Sequence, residues 1–258
     1  MAQPHGYQSQ QTVRTGARDI DAGLRAYMNK VYSLMAIAMV VSGAVAYVFG
    51  TDLYALTRGQ ETAVIPEGVL LSLFNSPLKW AVMFAPLIFV FAFSATINRV
   101  SQSTAQFMLY AFAALMGLSL SSIFVFYTGM SIAQTFFATA GAFAALSLWG
   151  YTTKRDISGW GSFLFMGVIG VVIASIINIF VGSSALQFAV SVVALLVFAG
   201  LTAYDTQRLK NTYLALAQHG GAAAEMIGKS AVMGALSLYI NFINMFMSML
   251  SLFGATNE

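Results

Sequence analysis

Asn241 and Asn244 interrupt the apolar stretch "SLYINFINMFMSMLS" near the C-terminus. Together with Gly234, Ser237, Ser248 and Ser251 they recur at alternating spacings of three and four residues, the period of one helix face. Turned toward lipid, that face would strand two amides and three hydroxyls in hydrocarbon, where each unsatisfied group is costly. The stripe therefore faces other helices or water. One chemistry for it is interhelical hydrogen bonding, worth about 0.6–2 kcal/mol per bond; the other is the lining of an ion or water path. The opposite face, Leu238, Phe242, Met245 and Met249, meets lipid or packed apolar side chains.

Asp205 closes another apolar run, in "FAGLTAYDTQRLK". An ionisable group within a membrane segment is costly and is a functional candidate by default. If the helix continues through "TQRLKNTY", the carboxylate lies one or two turns below the membrane surface. The competing reading is a surface Asp paired with Arg208, three residues on along the same face. Arg99, in "SATINRVSQS", ends an earlier apolar run in the same leaflet. It either pairs with Asp205 across the bundle or sits at a helix end to fix topology.

Whatever these residues do, membrane helices must position them. The chain has 258 residues, 59% hydrophobic and 8% charged, with mean hydropathy +0.77; a soluble domain is about 25% charged. This composition predicts an all-α membrane protein. The net charge of +3 is too weak to imply a nucleic-acid partner. With no cysteine, thiol chemistry and disulfides are excluded, and His5 and His219 are too far apart in polar context to suggest a shared metal site. Enzymatic motifs are missing. There is no HExxH, no Gly-x-Gly-Asp with a second membrane carboxylate, and no His or Lys base within a span to activate a serine. The expected class is a non-enzyme with no catalytic residues.

Crossing the hydrocarbon core takes about 20 apolar residues. Seven runs qualify: Val31–Phe49, Trp80–Ile97, Ala105–Tyr127, Ile132–Trp149, Gly161–Phe180, Ala185–Tyr204 and Ala231–Phe253. The fourth is the least hydrophobic. Basic residues orient them. Arg14, Arg18, Arg25, Lys30, Arg99, Lys154, Arg155, Arg208, Lys210 and Lys229 fall on one side, and Arg58 and Lys79 on the other. The N-terminus is thus expected in the cytosol. Residues 1–29 read as a largely disordered cytosolic tail, with "DIDAGLRAYMNKVY" as an amphipathic lead-in on the membrane surface, and residues 30–254 as a seven-helix domain. "YTGMS" and "VGSS" read as tight hairpin turns. Gly117, Gly141, Gly167 and Gly170 are small residues that let helices approach closely.

"AYDTQRLK", the basic turn "GYTTKRDIS", "ALMGLSLSSIF" and "ALSLYINFINMFMSML" together resemble the transmembrane Bax-inhibitor-motif (Bax inhibitor-1) family. "DAGLRAYMNKVYSLMA" is similar to the start of its bacterial branch. The resemblance runs from about Asp21 to Gly254. It implies a seven-helix bundle with the last helix near the centre, and a location in the bacterial inner membrane. It also implies a pH-sensitive calcium leak. In that mechanism two aspartates, on helices six and seven, form a buried pair that an arginine at the end of helix two can engage.

The first aspartate corresponds to Asp205 and the arginine to Arg99. The second falls on Asn241, since the family pattern "LYLDFIN" reads "LYINFIN" here. Two close carboxylates share a proton and repel once it leaves. An Asp–Asn pair lacks that repulsion. The expectation is therefore a weakened pH gate formed by Asp205, Asn241, Arg99 and Asn244, and at most a weak calcium site at Asp205, since Ca²⁺ favours several charged oxygen ligands. The competing function is a non-conducting regulator that binds a membrane-anchored protease or another membrane partner.

Overall fold

The computed structural model describes residues 6–218 and 224–257, with side chains from residue 20 onward. His5 and His219, and the side chains of Arg14 and Arg18, lie outside the described residues. The helices in chain order are α1 (Gly6–Thr57), α2 (Glu67–Phe74), α3 (Leu78–Thr96), α4 (Gln102–Leu120), α5 (Ile123–Phe126), α6 (Gly129–Thr152), α7 (Trp160–Val181), α8 (Ser184–Ala217) and α9 (Ala224–Phe253). Seven stretches are long and apolar enough to cross a membrane. The fourth of them has the lowest mean hydropathy, 1.4. The third span breaks between α4 and α5, where the Ser121 and Ser122 hydroxyls bond back to Leu118 and Ser119 carbonyls and so compete with the helical ladder.

Two helices outrun their apolar windows. α8 continues to Ala217, well past Tyr204, because its last turns are polar and amphipathic yet still helical. Apolarity ended there; helicity did not. Likewise "DIDAGLRAYMNKVY" is no separate surface helix. It is continuous with the first span and buries Leu24, Tyr27, Met28 and Val31 in the core. The Tyr27 ring lies 5.2 Å from that of Tyr213 on α8, and its hydroxyl is 2.9 Å from Ser230 Oγ on α9.

α9 is the central helix. Of its apolar window 56% is buried, against 33% or less for every other span. It packs on α1, α4, α6 and α8. Leu238, Phe242 and Met245 are thus core residues, meeting partners such as Phe143 of α6, 5.6 Å from Phe242. α7 is the outermost, with 6% of its window buried, and presents Ile173, Ile179 and Phe180 to lipid.

Close approach is concentrated at two glycines. A Cβ at Gly117 would come within 2.4 Å of the Ser42 carbonyl on α1, and one at Gly150 within 2.3 Å of the Ala203 carbonyl on α8. Gly167 meets the Val197 side chain, whereas Gly141 and Gly170 face open space. The two expected turns are present, but only the second joins a packed helix pair, α7 on α8; α6 packs on α8 and α9 rather than back on α4. Thr128 caps α6 by accepting the Ser131 N–H, and Ser183 caps α8 by accepting the Leu186 N–H after Gly182 at φ 65°. The C-terminal residues fold back on the first of these turns. Asn257 Nδ2 donates to the carbonyls of Phe124, Val125 and Tyr127, and the Thr128 N–H donates to Ala255 O.

Gly117→Ala forces a methyl into backbone that cannot yield, so unfolding in detergent should show a loss of about 1–3 kcal/mol. Gly141→Ala should leave the transition where it is.

Candidate functional site

The polar stripe of α9 faces α8, and the two helices are fastened along most of its length. Gly234 lies under the Leu209 side chain. Ser237 Oγ and Asn241 Nδ2 both donate to Oδ2 of Asp205, at 2.7 and 2.8 Å. At the far end Ser251 Oγ is 3.0 Å from Ser191 Oγ. Asp205 and Asn241 are 7% and 4% exposed. Between these ties, Asn244 and Ser248 turn back on their own helix, donating to the Ile240 and Asn244 carbonyls. Asn244 therefore takes no part in the contact at Asp205.

Asp205 lines a cavity of about 190 Å³ together with Arg208, Thr212, Ser230 and Ser237. The polar turns of α8 that follow Asp205 form one wall, on the N-terminal side of the bundle. Arg208 shares this cavity but is exposed and forms no ion pair among the described residues. Arg99 is not brought to the site. α3 packs on α4 rather than on α8 or α9, which leaves Arg99 exposed at the periphery, without an ion pair among the described residues. Its pairing with Asp205 is therefore not formed.

The geometry also bears on cation binding. Asn241 and Ser237 point N–H and O–H at the carboxylate, and a cation needs acceptors there. Among the described residues no cluster of three His, Cys, Asp or Glu side chains could hold a metal. For a cation to sit at Asp205, the amide must rotate to present its oxygen, and the Ser237 proton must turn away.

Beside Asp205, but on another face of α8, a hydroxyl chain crosses the bundle: Tyr32 to Ser147 at 2.6 Å and Ser147 to Thr206 at 2.9 Å. Gln207 clamps the α6–α7 loop, donating to Arg155 O and accepting from the Ile157 N–H. Lys210 donates to Tyr151 O and lies 5.4 Å over its ring. The motif "AYDTQRLK" thus holds the buried carboxylate, a hydroxyl of the Tyr32–Ser147–Thr206 chain and a loop clamp on successive faces. Sequence reading singled out only Asp205 and Arg208 from it. It also missed Asp52, 3% exposed, which accepts the N–H groups of Ala63, Val64 and Ile65 at 2.6–2.9 Å and staples the far-side loop. The signal was present: an acid near a span end, ahead of a loop whose N–H groups need acceptors.

In the same α6–α7 loop, Asp156 is held below the usual carboxylate range, first by the Ser158 hydroxyl and then by the Ser158 N–H. A carboxyl with a depressed folded-state value stabilises its turn above its unfolded value and loses that contribution as pH falls through the folded one.

The family model described as inhibitor of apoptosis-promoting Bax1 matches residues 24–258. An uncharacterized protein of Caulobacter vibrioides is 46% identical over 244 residues, 93% of this chain and 92% of the relative. The inner membrane protein YbhL of Escherichia coli K12 is 42% identical over 233 residues, 90% of this chain and 93% of the relative. An uncharacterized membrane protein of Streptococcus pyogenes is 36% identical over 235 residues, 91% and 94% of the two chains.

Two outcomes follow from these contacts. Ser237→Ala and Asn241→Leu should each cost about 1.5–3 kcal/mol in unfolding, as expected for hydrogen bonds to a charged group, and a double-mutant cycle should show coupling because both serve one oxygen. Ser158→Ala should raise the Asp156 titration midpoint toward the ordinary carboxylate value in an NMR pH series, so that the turn loosens at a higher pH.

Proposed function

The chain belongs to the Bax inhibitor-1 family of membrane proteins, and from that premise we propose that it is a calcium (cation) leak of the inner membrane whose gate is the Asp205–Asn241 contact. The proposed orientation, supported by the distribution of basic residues, puts the N-terminal side in the cytosol. The observation that carries the reading is a buried carboxylate lining a cavity with Arg208 and Thr212, tied to the central helix by an amide and a hydroxyl. On this reading the contact as formed closes the path. A cation drawn along the cavity meets the α8–α9 contact and passes only when Ser237 and Asn241 release Asp205.

Protonation acts on this contact less than on a pair of carboxylates. Asn241 donates to ionised Asp205 through its N–H, and its carbonyl accepts from the protonated acid. The contact persists in both forms, so pH gating is weak. No catalytic step is assigned to the site.

A second reading has an observation of its own. Beyond Asp205, Asn244 and Ser248 spend their donors on α9 itself, and Ser251 meets Ser191. This favours a non-conducting regulator that contacts a membrane-anchored protease or another membrane protein through its N-terminal segment and basic loops.

Calcium flux into liposomes containing purified protein separates the two. The leak reading expects Asp205→Ala, which removes the closing contact, to change flux at least about tenfold, about 1.4 kcal/mol, and Asn241→Asp to steepen the pH response across the neutral range. Unchanged flux and pH response in Asn241→Asp would remove the pair mechanism. Loss of activity on deleting residues 1–20, with Asp205→Ala silent, would establish the regulator instead.

A further inference from the structure

α1 and α6 run side by side without forming a packed helix pair. The Tyr32–Ser147 hydrogen bond reaches across the gap between them. Two chambers occupy this cleft. The one on the N-terminal side, about 450 Å³, is lined by Arg25, Asn29 and Tyr32 of α1 and by Phe143, Ala144 and Leu148 of α6, among others. The one on the far side, about 470 Å³, lies between Met39–Tyr47 and Gly129–Phe137 and is backed by Ile243 and Phe246 of α9. Both volumes fall within the roughly 300–1,000 Å³ range of ligand sites. The rims are lipid-facing: Leu148 is 63% exposed and Phe137 73%.

The chamber on the N-terminal side is amphipathic along its length. Phe143, Ala144 and Leu148 form its apolar wall, while Arg25 and Asn29, one helical turn apart, stand at its membrane-surface end. Arg25 is exposed and forms no ion pair among the described residues, and Asn29 is exposed beside it. Lys154 and Arg155 follow α6 on the same side. An unpaired guanidinium above an apolar slot matches a molecule with an anionic head and a thread-like apolar tail. A protein helix does not fit, since it is about 10–12 Å across and one turn would fill the chamber.

We propose that this α1–α6 cleft binds an anionic glycerophospholipid of the leaflet on the N-terminal side. Its phosphate meets Arg25 and Asn29, where the planar guanidinium offers paired donors. One acyl chain lies along Phe143, Ala144 and Leu148. The bound chain fills the gap that the Tyr32–Ser147 bond alone leaves open. The inference is independent of whether the protein conducts.

Native mass spectrometry of the full chain in detergent tests it, with phosphatidylglycerol and phosphatidylcholine as competing probes. Wild type should retain phosphatidylglycerol preferentially. Arg25→Gln, at an exposed position that leaves the core intact, should lower that preference about five-fold, the share of one basic residue at an anionic surface. Ala144→Trp should fill the slot and reduce retention of both lipids, with thermal unfolding checked alongside. Equal retention of the two lipids by wild type, or an Arg25→Gln preference matching wild type, would overturn the proposal. Because the chain has no native cysteine, a single cysteine at Leu148 gives a clean further readout. Efficient disulfide crosslinking between copies through that position would assign the cleft to a second copy and equally overturn the lipid site.

Discussion

Hydrocarbon offers polar groups no partner, so a buried amide, hydroxyl or carboxylate is costly unless it finds one in the protein; the Tyr239 hydroxyl is the exception among the described side chains. The contact of α8 with α9 follows from that constraint. Asp205 is ionisable and buried, and among the described residues the stripe on α9 supplies its donors, Ser237 and Asn241. Meeting that need sets the rotation of α9 about its own axis. With Ser237 and Asn241 turned to α8, the remaining faces must be apolar and packed, and Leu238, Tyr239, Phe242 and Met245 are accordingly among the most deeply buried side chains. The central position of α9 is a consequence of satisfying one carboxylate.

The same economy explains the rest of the architecture. Where helices approach most closely, glycine removes the side chain, as at Gly117 on Ser42 and Gly150 on Ala203. Where they stand apart, hydroxyls bridge, as at Tyr32 and Ser147. α7 has neither device on most of its surface and sits at the rim, touching α8. The α6–α7 loop is tied to α8 by Gln207, which engages the backbone of Arg155 and Ile157, while Lys210 holds the last turn of α6.

The seven spans, the low hydropathy of the fourth, the two tight turns and the direction of the polar stripe were legible in the sequence, because each is a one-dimensional pattern. Asp205 was legible through its depth, and its partnership with Asn241 through the resemblance. Other features were not, and for one physical reason: apolar windows report where lipid is, not where a helix stops. The polar last turns of α8 and the turns of α1 just before its first apolar run pack on each other through Tyr213 and Tyr27, a long-range contact with no local signature. Arg99 was assigned to the site from the shared leaflet and from the resemblance. Which neighbour α3 chooses decides that question, and it chose α4. The gap between α1 and α6 is invisible in sequence, since it is a failure of two helices to meet.

The fastening of the C-terminal residues has a mechanical consequence. Asn257 grips three carbonyls at the α5 end, and Ala255 meets both the Thr128 N–H and Ser131 Oγ. The tip of α9 is thereby pinned. A rod fixed at one tip moves as a pendulum. Displacement is least at Ser251 and grows toward Asn241 and Ser237, so a small tilt about the pinned tip is spent at the carboxylate.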